Sequence, residues 1–230
     1  MAKMWHAYLA EQKVKNQVMS LKGERINILF LLGGAAYYHK DHLTTFLKEK
    51  LTHSNKLLSA LLDIENPIVQ SACRALGIIG QLVTDPLFGI ISNTAHIFDL
   101  NELWEDLLWD LEKLSEDPTP LLEGKGPHCV AGHVKSDSPK HASLFAECDE
   151  NVHRHTKMCL KMLCISLALL IKRQLIDQLP GGKFHKPSPQ ILHETSRCPT
   201  TNLITERDFA HLDREAQHLH QSQLQEPLCS

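Results

Sequence analysis

The alternation of apolar and polar positions predicts amphipathic helices, and the clearest of them covers residues 100–114. Its apolar side chains recur at helical spacing, and acidic side chains occupy the opposite side. The helix is predicted to end at Asp117-Pro118, because proline cannot continue a helix. The pattern therefore predicts one buried face and one acidic face in water; the apolar positions are Leu100, Leu103, Trp104, Leu107, Leu108, Leu111 and Leu114.

A second helix is predicted from about Asn151 to Leu179, the most apolar part of the chain. Its middle, MLCISLALLI from Met162 to Ile171, is apolar on opposite sides of a helix. That run has ten residues, whereas a membrane span needs roughly 20. We therefore expect a helix at the centre of the core and no membrane anchor.

One strand is predicted near the N-terminus, in RINILFLL from Arg25 to Leu32. Large apolar residues stand at positions 26, 28 and 30, which is the spacing of one strand face. Gly33-Gly34 follows and predicts a turn into a helix over residues 35–50. The glycine pair lacks the further glycines and the lysine of phosphate-binding loops, so a turn is the favoured interpretation.

The remaining segments complete the predicted fold. Residues 55–92 predict two or three short helices, with breaks at Asn66-Pro67 and Asp85-Pro86. A flexible loop rich in His, Pro and Gly is expected over 118–143, between a strand-plus-helical region at 1–117 and a C-terminal helical region at 144–230. We expect one compact unit of mainly α class, with one strand or a small sheet near the N-terminus.

Charge argues against a nucleic-acid partner. The formal net charge is −3, but residues 96–150 carry 4 Lys/Arg against 13 Asp/Glu. An acidic segment repels phosphate, and the mildly basic flanks show no Lys/Arg cluster interleaved with aromatic residues. We therefore expect no autonomous nucleic-acid binding.

The cysteines and the N-terminus favour an intracellular protein. Seven cysteines are spread without the spacing of a disulfide framework. The first residues, MAKMWHAYLAEQKVKNQ, contain no apolar core of signal-peptide length. The expected location is the nucleus or the cytoplasm.

Two kinds of site chemistry, zinc binding and nucleophilic catalysis, have simpler alternatives in this sequence. Eight His and Cys residues fall between His128 and Cys159, and zinc prefers such ligands. No CxxC pair occurs, so solvated histidines are favoured and a zinc site stays open. No nucleophile elbow or other signature surrounds Cys148, Ser166 or Cys198. We expect no cofactor and no enzymatic activity.

The stretch PTTNLITERDFA, Pro199 to Ala210, has an ordinary structural explanation. Thr205 and Asp208 can cap the amides of a new helix. An apolar stripe follows at Phe209, Leu212, Ala216 and Leu219, so a final helix is predicted over residues 203–220.

The same stretch resembles the C-terminal motif of hAT-superfamily transposases, in which small hydroxyl residues precede Glu-Arg, a variable residue, Phe and a small residue. The resemblance implies an RNase H-like fold remnant, a metal-binding carboxylate at Glu206, and a C-terminal helix that is seated by Phe209 and contributes to dimer formation. Two-metal chemistry needs at least two further carboxylates. The family's other two aspartates lie upstream of where this chain begins, so the resemblance implies a helical remnant and not an active transposase.

The leading functional hypothesis is a non-enzymatic protein-interaction or scaffold module that binds a protein partner or forms a homodimer. Its candidate interaction residues are Trp104, Trp109, Phe209 and Leu212. One alternative is a nucleic-acid-processing remnant that holds a divalent ion at Glu206. Another is a truncated reading frame without a selected function, which would leave strand edges or apolar faces uncovered.

Overall fold

The computed structural model describes residues 2–18, 27–50, 54–198 and 200. Within these ranges the chain forms α-helices joined by turns, by two 3₁₀ helices (Ile97–Leu100 and Ala131–His133) and by longer loops, as between α8 and α9. They are α1 (Ala2–Glu11), α2 (Ile28–Tyr38), α3 (Lys40–Lys50), α4 (Asn55–Glu65), α5 (Pro67–Ile79), α6 (Asp85–Asn93), α7 (Asn101–Glu116), α8 (Thr119–Leu122), α9 (Pro139–Phe145), α10 (Glu150–Gln174) and α11 (Pro189–Glu194). A π-helical turn, Gly80–Thr84, joins α5 to α6.

The mainly α class is confirmed, but the predicted N-terminal strand or sheet is wrong. The described part of that segment is helix α2, and the described ranges contain no strand. The alternation at 26–30 breaks down because Leu29, Leu31 and Leu32 are also apolar. A helix satisfies its own backbone hydrogen bonds, so it can bury such a run without a sheet. No part of an RNase H-like sheet is therefore present in these ranges.

The main core lies between four helices. Helix α5 packs against α2 on one side and α10 on the other, and α7 packs against α10. Their facing side chains are almost fully buried and apolar, including Ile78, Ile79, Leu82, Leu107, Leu111, Leu160 and Cys164. Burial of this kind supplies most of the stability of a helical domain.

A second, smaller core joins α1, α3 and α4. It is largely aromatic at its centre, where Trp5 stacks on Tyr8 and meets Phe46 edge-on. The buried members are Trp5, Tyr8, Leu9, Phe46, Leu47, Leu61 and Ile64. His39, between α2 and α3, is fully buried beside this core and accepts a 3.0 Å hydrogen bond from the Gln17 amide through Nε2.

The predicted helix boundary at Asn66-Pro67 is confirmed, whereas the break at Asp85-Pro86 is absent. The Asn66 side chain caps α5 by accepting a 2.9 Å hydrogen bond from the Ile68 amide. At Pro86 the helix continues, because the π-helical turn just before it shifts the bonding pattern: the Asp85 amide donates to Gly80 O. The helix is therefore continuous from Pro67 to Asn93, with the π-helical turn inside it.

That run of 27 residues is the only described helix that is long and apolar enough to cross a membrane, and its most apolar 18 residues have a mean hydropathy of 1.5. Half of its most apolar window is buried by the rest of the chain. Its neighbours are α2 and α10, so the apolar positions serve the main core. The run is therefore buried as the central helix of a helical bundle is.

Candidate interaction surface

Helix α10 is anchored to the core along one side. Its start is fixed by Asp149, whose Oδ1 accepts hydrogen bonds from the amides of Asn151 and Val152 at 2.9 and 3.3 Å. Every fourth residue from there faces α5 and α7 and is buried: Val152, Thr156, Leu160, Cys164 and Ala168. The amphipathic arrangement leaves the other side of the helix in solvent.

The opposite side of α10 carries a row of exposed apolar side chains, which we name the α10 stripe: Met158, Met162, Ile165 and Leu169. Met158, Met162 and Leu169 are 61%, 62% and 54% exposed, and Ile165 is half-buried. Their spacing of four, three and four residues keeps them on one line along the helix. The prediction that α10 is surrounded by the core is therefore wrong on this side.

A rim of basic side chains borders the α10 stripe. Residues 151–176 contain no Asp or Glu, and the five basic side chains of the helix are exposed: Arg154, Lys157, Lys161, Lys172 and Arg173. Lys157 pairs with Asp117 at 3.1 Å, and Lys172 pairs with Glu112. The other three form no ion pair with a described residue.

The neighbouring helix α7 presents the opposite charge. Its solvent side, which we name the α7 face, has five exposed carboxylates, from Glu102, Glu105, Asp106, Glu112 and Glu116. Trp109 stands in the middle of this face and is 52% exposed, with the Lys113 ammonium 3.3 Å from the centre of its ring. Of the two tryptophans predicted as interaction residues, Trp109 faces solvent, while Trp104 is half-buried against the main core.

His128 fixes the chain after α8 to α7 beside Trp109. The His128 amide donates a 2.8 Å hydrogen bond to Asp110 Oδ2, and its Nδ1 lies 2.6 Å from the same oxygen. The imidazole also meets the Trp109 ring edge-on, with centroids 6.0 Å apart. Trp109 is thus held between Lys113 and His128.

Arg74 fixes the entry into α10 from within the core. The side chain is only 2% exposed. Its Nε donates to Leu144 O at 2.8 Å and its Nη2 donates to Ala146 O at 3.1 Å. A third contact joins Nη1 to the Cys148 sulfur at 2.7 Å. The guanidinium therefore ties α5 to the segment between α9 and α10.

The described residues do not assemble a metal or thiol site. No three His, Cys, Asp or Glu side chains come together there as a metal would require. Burial raises the pKa of Cys164 to about 12. Burial, followed by the charges of Asp110 and Asp106, raises the pKa of Cys129 to about 11. Thiols of this kind are protonated at neutral pH and are poor nucleophiles.

Three of the predicted site residues lie outside the described residues: Glu206, Phe209 and Leu212. A metal at Glu206 and a dimer contact through Phe209 and Leu212 therefore stay predictions.

Comparison with known proteins gives no relative: no protein family, curated protein or solved structure matches the chain. The resemblance to hAT transposases stays a prediction based on PTTNLITERDFA.

Sequence reasoning missed the α10 stripe, although two features of the sequence pointed to it. The apolar residues of the stripe are flanked by Arg and Lys, and acidic residues are missing over 26 positions, 151–176. A helix on the inside of a core has no need for a one-signed rim, so this composition is typical of a helix with one side in the core and the other in solvent.

Proposed function

We propose that the chain is a non-enzymatic helical protein-interaction module, and that it docks an acidic amphipathic helix of a protein partner on the α10 stripe. The observation that carries the proposal is the line of exposed apolar side chains, Met158 to Leu169, inside a basic rim. Intracellular location and descent from a hAT-like transposase belong to the same proposal. They are supported by the N-terminal residues and by the PTTNLITERDFA stretch.

A docked helix would cover the apolar side chains of the α10 stripe, which are otherwise in contact with water. Apolar area that leaves water stabilises a complex by roughly 25 cal/mol per Å² before the costs of association. Side chains spaced by four, three and four residues present the seam that a second helix fits with its own side chains. Methionine suits such a surface, because its flexible thioether adapts to different partners.

Charge selects the kind of partner. Three basic side chains of the rim have no described carboxylate to pair with: Arg154, Lys161 and Arg173. A partner helix with Glu or Asp beside its apolar seam can pair with them, which speeds its association and fixes its alignment along α10. An anionic membrane also attracts a basic amphipathic helix. However, the α7 face next to α10 carries five carboxylates, which such a membrane repels. A protein helix meets no such repulsion, because it can lie along α10 alone.

The test uses two synthetic helical peptides with the same leucine seam, one with Glu and one with Lys at the flanking positions. We expect the full chain to bind the Glu peptide more tightly than the Lys peptide in a fluorescence anisotropy titration. The α10 stripe offers a line of apolar side chains to the leucine seam, whereas the exposed α7 face offers Trp109 alone. The double variant Met162→Glu with Leu169→Glu is expected to weaken binding by about a hundredfold or more, since hot-spot losses exceed 2 kcal/mol.

The matched control is the double variant Leu58→Glu with Leu62→Glu, which places the same two charges on exposed leucines of α4, 42% and 60% exposed. It should bind the Glu peptide like the wild type. Equal binding of both peptides, or loss of binding in the control as well, would contradict the proposal. Binding to phosphatidylserine vesicles in preference to the Glu peptide would point to a membrane instead.

A further inference from the structure

We infer that the partner of the α10 stripe is a second copy of this chain, which presents its α7 face. Each copy would give its α10 stripe to the other's α7 face and its α7 face to the other's α10 stripe. The inference rests on the proposed function and names the partner at that same surface. The juxtaposition behind it is that α7 and α10 pack side by side and expose complementary faces.

The two faces are opposite in charge and similar in layout. The α10 rim has five exposed basic side chains, and the α7 face has five exposed carboxylates with one lysine. Lys157 and Lys172 are paired within the chain, the second of them with Glu112, so three basic side chains and four carboxylates are left for a second copy. Trp109 is the middle position between Glu102 and Glu116, and the α10 stripe lies midway between Arg154 and Arg173. At 1.5 Å per residue the α7 face is about 21 Å long and the α10 rim about 28 Å. The apolar centres therefore coincide, and the ends of the two charged rows lie within about 4 Å of each other.

Trp109 supplies the apolar anchor. The residue is 52% exposed although Lys113 and His128 hold its ring in place. A large aromatic side chain that is already ordered loses little entropy on binding, and such side chains dominate interface energies. The methionines of the α10 stripe are the adaptable surface that a ring of this size requires.

Like faces cannot pair in this way. Two α10 stripes together would bring two basic rims into contact, and two α7 faces would bring ten carboxylates together. Like charges across an interface cost free energy and suppress that arrangement. The α7–α10 contact, made twice around a two-fold axis, avoids both repulsions and closes the dimer.

The experiment is sedimentation velocity of the full chain over a concentration series up to about 100 μM, well above a micromolar Kd. We expect the wild type to form a salt-sensitive dimer. An α10 variant, Lys161→Glu with Arg173→Glu, and an α7 variant, Glu102→Lys with Glu105→Lys, should each weaken self-association by at least about tenfold. An equimolar mixture of the two variants should regain a dimer, because each acidic α10 then meets a basic α7.

Recovery in the mixture keeps the test independent of folding defects, since a misfolded variant cannot be rescued by its complement. Helical content and thermal midpoint are measured for both variants alongside. A wild type that stays monomeric, or an α10 variant that dimerises like the wild type, would overturn the inference. If the monomer still binds the Glu peptide, the proposed function stands and only the second copy is excluded. If the protein binds neither a second copy nor the Glu peptide, both the dimer inference and the proposed function are wrong.

Discussion

Gly34 of α2 and Gly77 of α5 meet backbone to backbone: a Cβ built on Gly77 would lie 2.6 Å from the Gly34 Cα. The same Cβ would lie 2.7 Å from Leu144 Cδ2. Only a residue without a side chain lets the two helices approach this closely. The glycine pair that predicts a turn in the sequence is therefore part of a helix crossing.

Gly77→Ala is expected to destabilise the protein by about 1–3 kcal/mol, the usual cost of forcing an extra group into a packed contact. The backbone of α2 stands in the way, so no side-chain rotation relieves the clash. Urea denaturation monitored by circular dichroism measures the change.

Gly89→Ala is the matched control, because nothing lies within 4 Å of a Cβ at this position of α6. It should leave stability unchanged or raise it by about 0.5–1 kcal/mol through helix propensity. A Gly77→Ala protein as stable as the control would show that α2 and α5 do not cross at this point.

Arg74→Lys is expected to cost about 1–3 kcal/mol despite keeping the charge. The guanidinium reaches Leu144 O, Ala146 O and the Cys148 sulfur from three different nitrogens, whereas a lysine ammonium has one nitrogen and cannot reproduce this planar fork. The free energy of unfolding from chemical denaturation checks the prediction.

The comparison is Arg154→Lys on the exposed side of α10, where the only described side-chain hydrogen bond goes to Asn151 at 3.2 Å. A change within about 0.5 kcal/mol is expected there. Equal effects at both positions would mean that Arg74 is not a structural link to α10.

Local patterns predicted some elements well because the physical cause was local. Helix α7 matches the prediction for 100–114, since its apolar stripe repeats for four turns and Pro118 ends it. The strand failed for a different reason. A short run that is apolar at consecutive positions fits a buried strand and a buried helix equally, and only tertiary packing on α5 decides between them.

The pH dependence of stability should carry a contribution from His39. Burial, and then the neighbouring charge of His42, lowers the pKa of His39 from 6.5 to about 4. Between pH 6.5 and about 4, His39 binds a proton in the unfolded chain but not in the folded chain. Stability contributed by neutral His39 is therefore complete above pH 6.5 and is lost as the pH falls toward 4, by at most about 1.4 kcal/mol per pH unit.

Chemical denaturation at a series of pH values measures this slope. His39→Gln removes the titrating group and should flatten the curve between pH 6.5 and 4 relative to the wild type. The exposed substitution His153→Gln should leave the slope as it is. A wild-type curve that is already flat across this range, or one that flattens equally with His153→Gln, would rule out the buried neutral histidine.

Thiol reactivity should follow burial. In a Cys229→Ser background, the exposed Cys198 is expected to react first with a disulfide reagent, whereas Cys164 should react only on unfolding. The physical reason is that burial raises the pKa of Cys164 to about 12 and excludes the reagent. Mass spectrometry of peptides after timed quenching gives the order. Rapid native labelling of Cys164 would show that α10 does not pack as described.

The surface of α10 could be predicted only in part. Its helical character and its approximate start, predicted at about Asn151 and found at Glu150, follow from the sequence, because the apolar density is visible there. Its exposed side is marked in the sequence only by the basic residues and the missing acidic ones, since Met158 and Met162 have the same hydrophobicity whether they face a core or solvent. Exposure depends on where α5, α7 and the other elements end, and that is a property of the assembled fold.

The most direct measurement is a methyl NMR titration of ¹³C-methyl-methionine protein with the Glu peptide. Met158 and Met162 report on the α10 stripe. Met4 of α1 is 47% exposed and lies outside the stripe, so its signal is the internal control. The account predicts that the Met158 and Met162 signals shift together and saturate while the Met4 signal stays in place. Unchanged Met158 and Met162 signals at peptide concentrations that saturate binding would contradict it, because the partner would then bind somewhere other than the α10 stripe.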